Sequence, residues 1–292
     1  MDLLFLTFGP NIKNHYQANF CILSFLKQRE HITSINIYTD HAEFYTYLGG
    51  LVNIIPLTKD LLEDWKGEYN YLYRIKIKAL EHFIQANGKR PVVYLDSDTF
   101  LYRKELSFAQ LLSQSIALMH EEEGKLHEQK SKRVKSMWQK VKGKSFAGIH
   151  ITEAHTMWNS GVIAIPAQHN LEAIQLALQV CDEMLKGGVT SFMLEQYAVS
   201  IALGYFYTIQ PASNWVGHYW ATKEEWNETI SNFFLETVLK QYTLEQDITR
   251  LAAFDFSSLP IRKRVKNTRL RLMKFVDNLF PIRPTAFVEV EK

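Results

Sequence analysis

The stretch PVVYLDSDTFLY, residues 91–102, constrains this chain more than any other. Four apolar residues, Val92, Val93, Tyr94 and Leu95, run into Asp96-Ser97-Asp98, and apolar character resumes at Phe100 and Leu101. So short an apolar run, closed by turn residues, reads as a strand buried on both faces of an α/β sheet. Residues i and i+2 of a strand point to the same side. If strand geometry persists through Ser97, the two carboxylates converge. Carboxylates that close repel unless one keeps its proton or a cation joins them. A divalent ion resolves the conflict, because carboxylate oxygens suit Mg²⁺ or Mn²⁺, which fill their other positions with water and phosphate oxygens. The plain alternative is that Asp96 and Asp98 end the strand and cap the next turn.

The rest of the chain supports a layered α/β reading. Residues 3–8 read as a first strand, with Thr7 near its end, followed by a turn at Gly9-Pro10-Asn11. Tyr16, Phe20, Leu23 and Leu26 recur at spacings of three and four, which predicts a helix over 15–29. Ile35, Ile37 and Tyr38 form a second strand ending at Thr39-Asp40, and 52–56 a third. A helix follows from Tyr71 to Phe83, closed by Asn87-Gly88. Residues 158–165 return to strand character and 171–185 to helix. Strands alternating with helices predict a largely parallel sheet with helices on both faces. In such sheets ligands gather at the carboxyl ends of the strands, where Asp40, Asp96 and Asp98 all lie.

Residues 120–145 differ: Glu121-Glu122-Glu123 precedes eight basic residues between Lys125 and Lys144. This is the expected long excursion or lid, set at 120–150, with a solvated helix as the plain alternative. The core domain is expected to span 1–256 and a basic extension 257–292.

Bulk properties exclude several classes. A net charge of +2 gives no global attraction to nucleic acid or acidic surfaces. The chain has no G-x-G-x-x-G after its first strand and no G-x-x-x-x-G-K-[ST], so a dinucleotide fold or P-loop has no support. Cys21 and Cys181 are its only cysteines, without metal spacing, which suits a reducing compartment. The start reads as a strand rather than a signal peptide, and no run approaches the ~20 apolar residues of a membrane span. A cytoplasmic location is expected, with the inner membrane face as a peripheral option.

The pattern VVYLDSDTFL resembles the D-x-D segment of nucleotide-sugar-dependent glycosyltransferases of the GT-A fold. Three further segments agree in order. Tyr73-Arg74-Ile75-Lys76 resembles the Arg-bearing helix of the glycogenin-like and lipopolysaccharide galactosyltransferase-like families. Trp158-Asn159-Ser160-Gly161-Val162 resembles their F-N-[SA]-G segment, and Glu195-Gln196-Tyr197 their D-Q-D. Gly217-His218-Tyr219-Trp220 through Trp226 resembles the segment that carries a third metal ligand, with Ala221 in place of Gly, Lys223 one place early and no Pro. The resemblance spans roughly 1–226. It implies a Rossmann-like, mixed but mostly parallel sheet flanked by helices, and a metal held by Asp96, Asp98 and His218. A ring nitrogen among the ligands favours Mn²⁺ over Mg²⁺.

The resemblance further implies transfer of a sugar, with retention, from a nucleotide diphosphate sugar, a UDP-sugar first of all, to an acceptor hydroxyl. Surface glycan synthesis is the expected setting, with a glycan, lipid-linked or protein acceptor. Thr7, Asp40, Arg74, Asp96, Ser97, Asp98, Asn159, Gly161 and Lys223 are the candidate donor contacts. Arg74 suits a carboxylate or phosphate, Asn159 sugar hydroxyls, and Gly161 close approach of a ligand. Glu195 and Gln196 are the candidate catalytic pair beneath the sugar ring, although the family's two aspartates have become Glu195 and Tyr197.

Two rivals remain open. A haloacid dehalogenase-type phosphatase also has a strand ending D-x-D, but there the motif opens the chain, and no later G-D-x-x-x-D follows here. A non-catalytic nucleotide-sugar binder on the same fold would explain the altered Lys223 segment. Finally, 259–280 interleaves seven Arg and Lys residues with apolar ones, which fits an anionic membrane surface or a face packed on protein. No recognisable nucleic-acid module accompanies these charges.

Overall fold

The computed structural model describes residues 1–103 and 107–262, and beyond them Thr268, Leu272, Met273, Phe275, Val276 and Leu279. The short apolar runs of the N-terminal half are strands: β1 (Asp2–Thr7), β2 (Ser34–Thr39), β3 (Asn53–Pro56) and β4 (Val92–Leu95). Helix α1 (Ile12–Leu26) lies three residues earlier than its apolar spacing predicts. The reason is its cap, since the Asn11 side chain accepts from the Lys13 amide at 3.1 Å. Helix α2 (Lys59–Lys66) is capped by Thr58, and α3 (Arg74–Asn87) ends at Gly88, whose φ of 72° costs glycine nothing.

After β4 come β5 (Thr99–Leu101), α4 (Phe108–Ser113) and β6 (Ile116–Met119). The charged segment is folded onto the domain. Its β7 (Glu122–Lys125) and α5 (Lys132–Val141) precede a small hairpin, β8 (Ser145–Phe146) with β9 (Ile149–His150). Val134, Met137 and Val141 form the buried stripe of α5, and the basic residues take the other side. Then follow β10 (Thr156–Trp158), β11 (Val162–Ile165), α6 (Asn170–Lys186), α7 (Leu194–Phe206), β12 (Thr208–Pro211), β13 (Val216–His218), α8 (Lys223–Lys240) and α9 (Leu244–Ala252). The strand character of 158–165 is thus two strands, broken at Asn159–Gly161. β10 pairs with β7, and β11 joins the central sheet.

That sheet has seven strands in the order β12-β6-β11-β4-β1-β2-β3. Strand β11 is antiparallel to both neighbours, and the other adjacent pairs are parallel. The architecture is therefore a mixed, mostly parallel sheet flanked by helices. Alternation along the strands sorts the core into two layers. Leu4, Val92, Tyr94, Ile163 and Ile165 pack towards α3, α6 and α7. Leu3, Phe5, Val93, Leu95, Val162 and Ala164 pack towards α1 and α8. The reversed β11 matters for function. It brings its amino end, Asn159 to Gly161, to the same sheet edge as the carboxyl ends of β4 and β6.

Residues 257–262 lie against the domain. The Pro260 carbonyl accepts from Thr222 Oγ1 at 2.8 Å and Trp226 Nε1 at 3.1 Å. Most of the basic extension, from Lys263 onward, lies outside the described residues. No helix among the described residues is long and apolar enough to cross a membrane.

Candidate active site

The two aspartates converge, but not by the route strand geometry suggests. Strand β4 stops at Leu95, and Ser97 and Asp98 form a turn before β5. The turn is fixed at both ends: the Asp96 amide donates to the Gly161 carbonyl at 2.9 Å, and Thr99 Oγ1 donates to the Asp96 carbonyl at 2.7 Å. Strand β13 then pairs antiparallel with β5 in the register His218↔Thr99, so a histidine 120 residues downstream lands beside Asp98. Gly217 permits this pairing, since a Cβ there would sit 2.4 Å from the Phe100 ring. One ligand atom from each of Asp96, Asp98 and His218 lies within 4.8 Å of the others.

Two lysines neutralise the pair. Lys76 Nζ, on α3, lies 3.1 Å from Asp96 Oδ1 and donates to the Ser160 carbonyl at 3.2 Å and hydroxyl at 3.1 Å. It also lies 3.8 Å from Glu195 Oε2. Burial opposes its charge, but Asp96 and Glu195 outweigh burial and raise it above the usual lysine range. Lys223 Nζ, at the start of α8, is 2.9 Å from Asp98 Oδ2, with nearly half its side chain exposed. Burial pushes Asp98 up, yet His218 and Lys223 prevail and hold its carboxyl well below the usual range. Tyr94, which the apolar run hides, donates from its hydroxyl to Asp96 Oδ1 at 2.9 Å.

Glu195 sits in the first turn of α7, where the helix N-terminus favours a carboxylate. It is 2% exposed, and burial raises its pKa to about 7 against the pull of Lys76. Its Oε2 accepts from Ser160 Oγ at 3.0 Å, while Oε1 has no hydrogen-bond partner among the described residues. Gln196 Nε2 donates to Glu123 Oε2 at 2.9 Å, and Asn159 Nδ2 donates to Glu123 Oε1 at 3.1 Å. Tyr197 is fully buried and contributes to the core.

The other expected donor contacts have protein partners of their own. Arg74 does not face the aspartates: its Nε and Nη2 fork onto Asp182 at 2.7 and 2.9 Å, and Nη1 donates to the Trp65 carbonyl at 2.9 Å. Gly161 makes room for the His218 ring, because a Cβ there would lie 2.3 Å from it. Asp40 accepts from the Gly9 amide at 3.0 Å and so staples the turn after β1. Thr7 shares a hydrogen bond with the Tyr45 hydroxyl at 2.5 Å, and Ser97 Oγ donates to Gln17 Oε1 at 3.3 Å.

Sequence reasoning missed Lys76, Glu123, Ser160 and Tyr94. Lys76 and Ser160 stand inside quoted motifs, and a lysine flanked by Ile75 and Ile77 in an apolar helix was the available signal. Glu123, one of three consecutive glutamates, carried none.

As a cation site the donor set fits. Two carboxylates and an imidazole nitrogen span about the width of one six-coordinate ion, and a cation there would take over the neutralisation that the exposed Lys223 now supplies. A cavity of about 690 Å³ is lined by Glu121, Glu123, Gln129, Trp220 and Arg262 among others, and Glu123 links it to the site through Asn159.

No family model and no curated protein sequence matches the chain. Among solved structures it is similar to the galactosyltransferase LgtC in complex with donor and acceptor sugar analogues, at 14% identity over 93% of this chain and 99% of that one, with a TM-score of 0.46. It is similar to the bifunctional glycosyltransferase WbbM at 12% identity over 72% of this chain and 38% of that one, with a TM-score of 0.47. Mouse xyloside xylosyltransferase 1 shares 14% identity over 72% of this chain and 84% of that one, with a TM-score of 0.44. Likeness at this level carries no functional argument.

Proposed function

We propose that this protein is a metal-dependent glycosyltransferase that moves a sugar from a nucleotide diphosphate sugar to an acceptor hydroxyl. The observation that carries this reading is the meeting of Asp96, Asp98 and His218 at the sheet edge, within 4.8 Å of one another. Beside them lies a buried carboxyl, Glu195, one oxygen of which has no hydrogen-bond partner among the described residues. Asp96, Asp98 and His218 would hold Mn²⁺ in preference to Mg²⁺, and that ion would supply Lewis-acid stabilisation to the departing diphosphate. Lys223 is positioned to leave Asp98 for a phosphate oxygen, because its stem is half exposed and its partner is the carboxylate that a cation would engage. Lys76 stays buried and holds Asp96, Ser160 and Glu195 in one orientation. Glu195 would stabilise positive charge developing at the anomeric carbon, consistent with retention of configuration.

The donor is read as a UDP-sugar, and the acceptor as a glycan, lipid-linked or protein hydroxyl entering from the Trp220 side. Residues 1–256 would form the transferase domain and 257–292 a basic extension. The exposed apolar residues Leu272, Met273, Phe275 and Leu279, among the basic residues of the sequence, suit an anionic bilayer surface. Salt-insensitive failure to sediment with anionic vesicles would remove that contact and leave the cytoplasmic reading.

The test is titration with UDP-glucose, UDP-galactose and their N-acetyl relatives in the presence of Mn²⁺, followed by turnover assays. Asp98→Ala is expected to cut metal-dependent turnover on the order of 10³-fold. Unchanged turnover sinks the metal assignment. Tight UDP binding by the wild type, with no hydrolysis or transfer to any acceptor, would instead favour a non-catalytic binder.

A further inference from the structure

A histidine ligates through only one ring nitrogen, and the hydrogen bond at the other decides which one. Here His218 Nδ1 lies 3.1 Å from Asn159 Oδ1, and Nε2 lies 3.4 Å from Asp98 Oδ2. The role of Asn159 Oδ1 is settled by two independent contacts. The Gly161 amide, which can only donate, points at Oδ1 from 3.0 Å. The Asn159 amide nitrogen donates on its other side to Glu123 Oε1 at 3.1 Å. Oδ1 is therefore an acceptor and is satisfied only by a hydrogen on Nδ1 of His218. Asp98 Oδ2 competes for the ring proton at Nε2 until a cation engages that carboxylate, and the Nε2 lone pair is then the one left for the ion. Glu123 is held in turn by Gln196 Nε2 at 2.9 Å. His218 is 5% exposed and Asn159 8%, so solvent is largely excluded as a substitute. The missing Cβ of Gly161 completes the arrangement by letting the ring lie against the backbone.

We infer that Asn159, oriented by Glu123, is a positioning residue that fixes the His218 imidazole as its Nδ1–H tautomer and so presents Nε2 to the divalent cation. This assigns Asn159 to the histidine rather than to the sugar, and gives the charged segment around β7 a part in building the cation site. The inference rests on the reading of Asp96, Asp98 and His218 as that site.

Two measurements on the full chain test it. Two-bond ¹⁵N–¹H correlation spectra of histidine-labelled protein loaded with diamagnetic Mg²⁺ report the His218 tautomer, with Asn159→Leu and the double variant Asn159→Asp with Glu123→Gln alongside. Calorimetric titration with Mn²⁺ reports affinity. Wild type is expected to show the Nδ1–H form. Asn159→Leu is expected to lose that preference and bind Mn²⁺ about 10- to 100-fold more weakly. The double variant keeps an oxygen facing Nδ1 and restores the 159–123 bond with its polarity reversed, so both tautomer and affinity should recover. Should Asn159→Leu fail to fold, the double variant against Asn159→Asp alone makes the same comparison, with the single change expected to bind more weakly. Wild-type tautomer and affinity in the disrupted variants overturn the inference alone. A wild type that binds no Mn²⁺ overturns the cation reading and the inference with it.

Discussion

Arg74 and Lys76 leave the same helix two residues apart and enter two quite different charge clusters. At about 100° per residue their side chains diverge by about 200°, so one helix turn can supply only one of them to the sheet edge. Arg74 closes a complete unit: its guanidinium forks onto Asp182, and its remaining nitrogen meets a backbone carbonyl. Lys76 enters an incomplete one, where Asp96, Asp98 and Glu195 meet Lys76, Lys223 and His218, and Glu195 Oε1 stays unpaired among the described residues. A satisfied ion pair holds structure. Buried charges with an orphaned oxygen are what a ligand completes.

The sharpest way to break this contrast is to exchange each cation for a neutral side chain of similar length. Lys76→Met strands Asp96 and Glu195, and is expected to cost on the order of 10²-fold in turnover and about 3 kcal/mol of stability. Arg74→Met should lower stability while leaving turnover per folded molecule at the wild-type level. Denaturant melts with parallel turnover assays separate the two, and equal losses of turnover would show that the clusters act as one. Next in size, Gly161→Ala drives a methyl into the His218 ring and should weaken Mn²⁺ binding about 10-fold or more, read by calorimetry.

Glu195 gives the comparison a pH signature. Its folded pKa of about 7 lies above that of an unfolded glutamate near 4.5, so the folded state binds more protons between those values. Its contribution is fully present below the unfolded pKa and is lost as pH rises through about 7. Relative to Glu195→Gln, the wild type should lose roughly 3 kcal/mol between pH 4.5 and 8. Matching slopes in denaturant titrations at several pH values would remove Glu195 as a buried carboxyl. The smallest effect is expected at Glu121, whose forked pair with Arg262, at 2.7 and 3.2 Å, is half exposed. Glu121→Ala should cost no more than about 1 kcal/mol, vanishing at high salt.

Much of the fold could be read from local pattern. The runs at β1, β2 and β4 and the helices α3 and α6 follow apolar periodicity, because a buried strand or stripe is a local requirement. Boundaries slipped where a cap ruled, as at Asn11, and where one apolar run served two sheets, as around Asn159 to Gly161. At the site, Asp96 and Asp98 stood out because they close an apolar run, while His218 and Glu195 came only from the resemblance of their segments to those of a known family. That Lys76 and not Arg74 meets the aspartates was not legible, because linear sequence does not say which of two cations on one helix turn faces inward. Glu123 was invisible because its two neighbours are 36 and 73 residues away.

By itself, the sequence determined an α/β core whose fourth strand ends in two close carboxylates, since strand burial and turn chemistry are written in neighbouring letters. The tertiary structure decided what completes that pair. The register of β13 on β5 delivers His218, the reversal of β11 delivers Asn159, Ser160 and Gly161, and the rotation of α3 delivers Lys76 in place of Arg74. Each depends on pairings between distant segments, which are set by packing of the whole sheet rather than by any local preference.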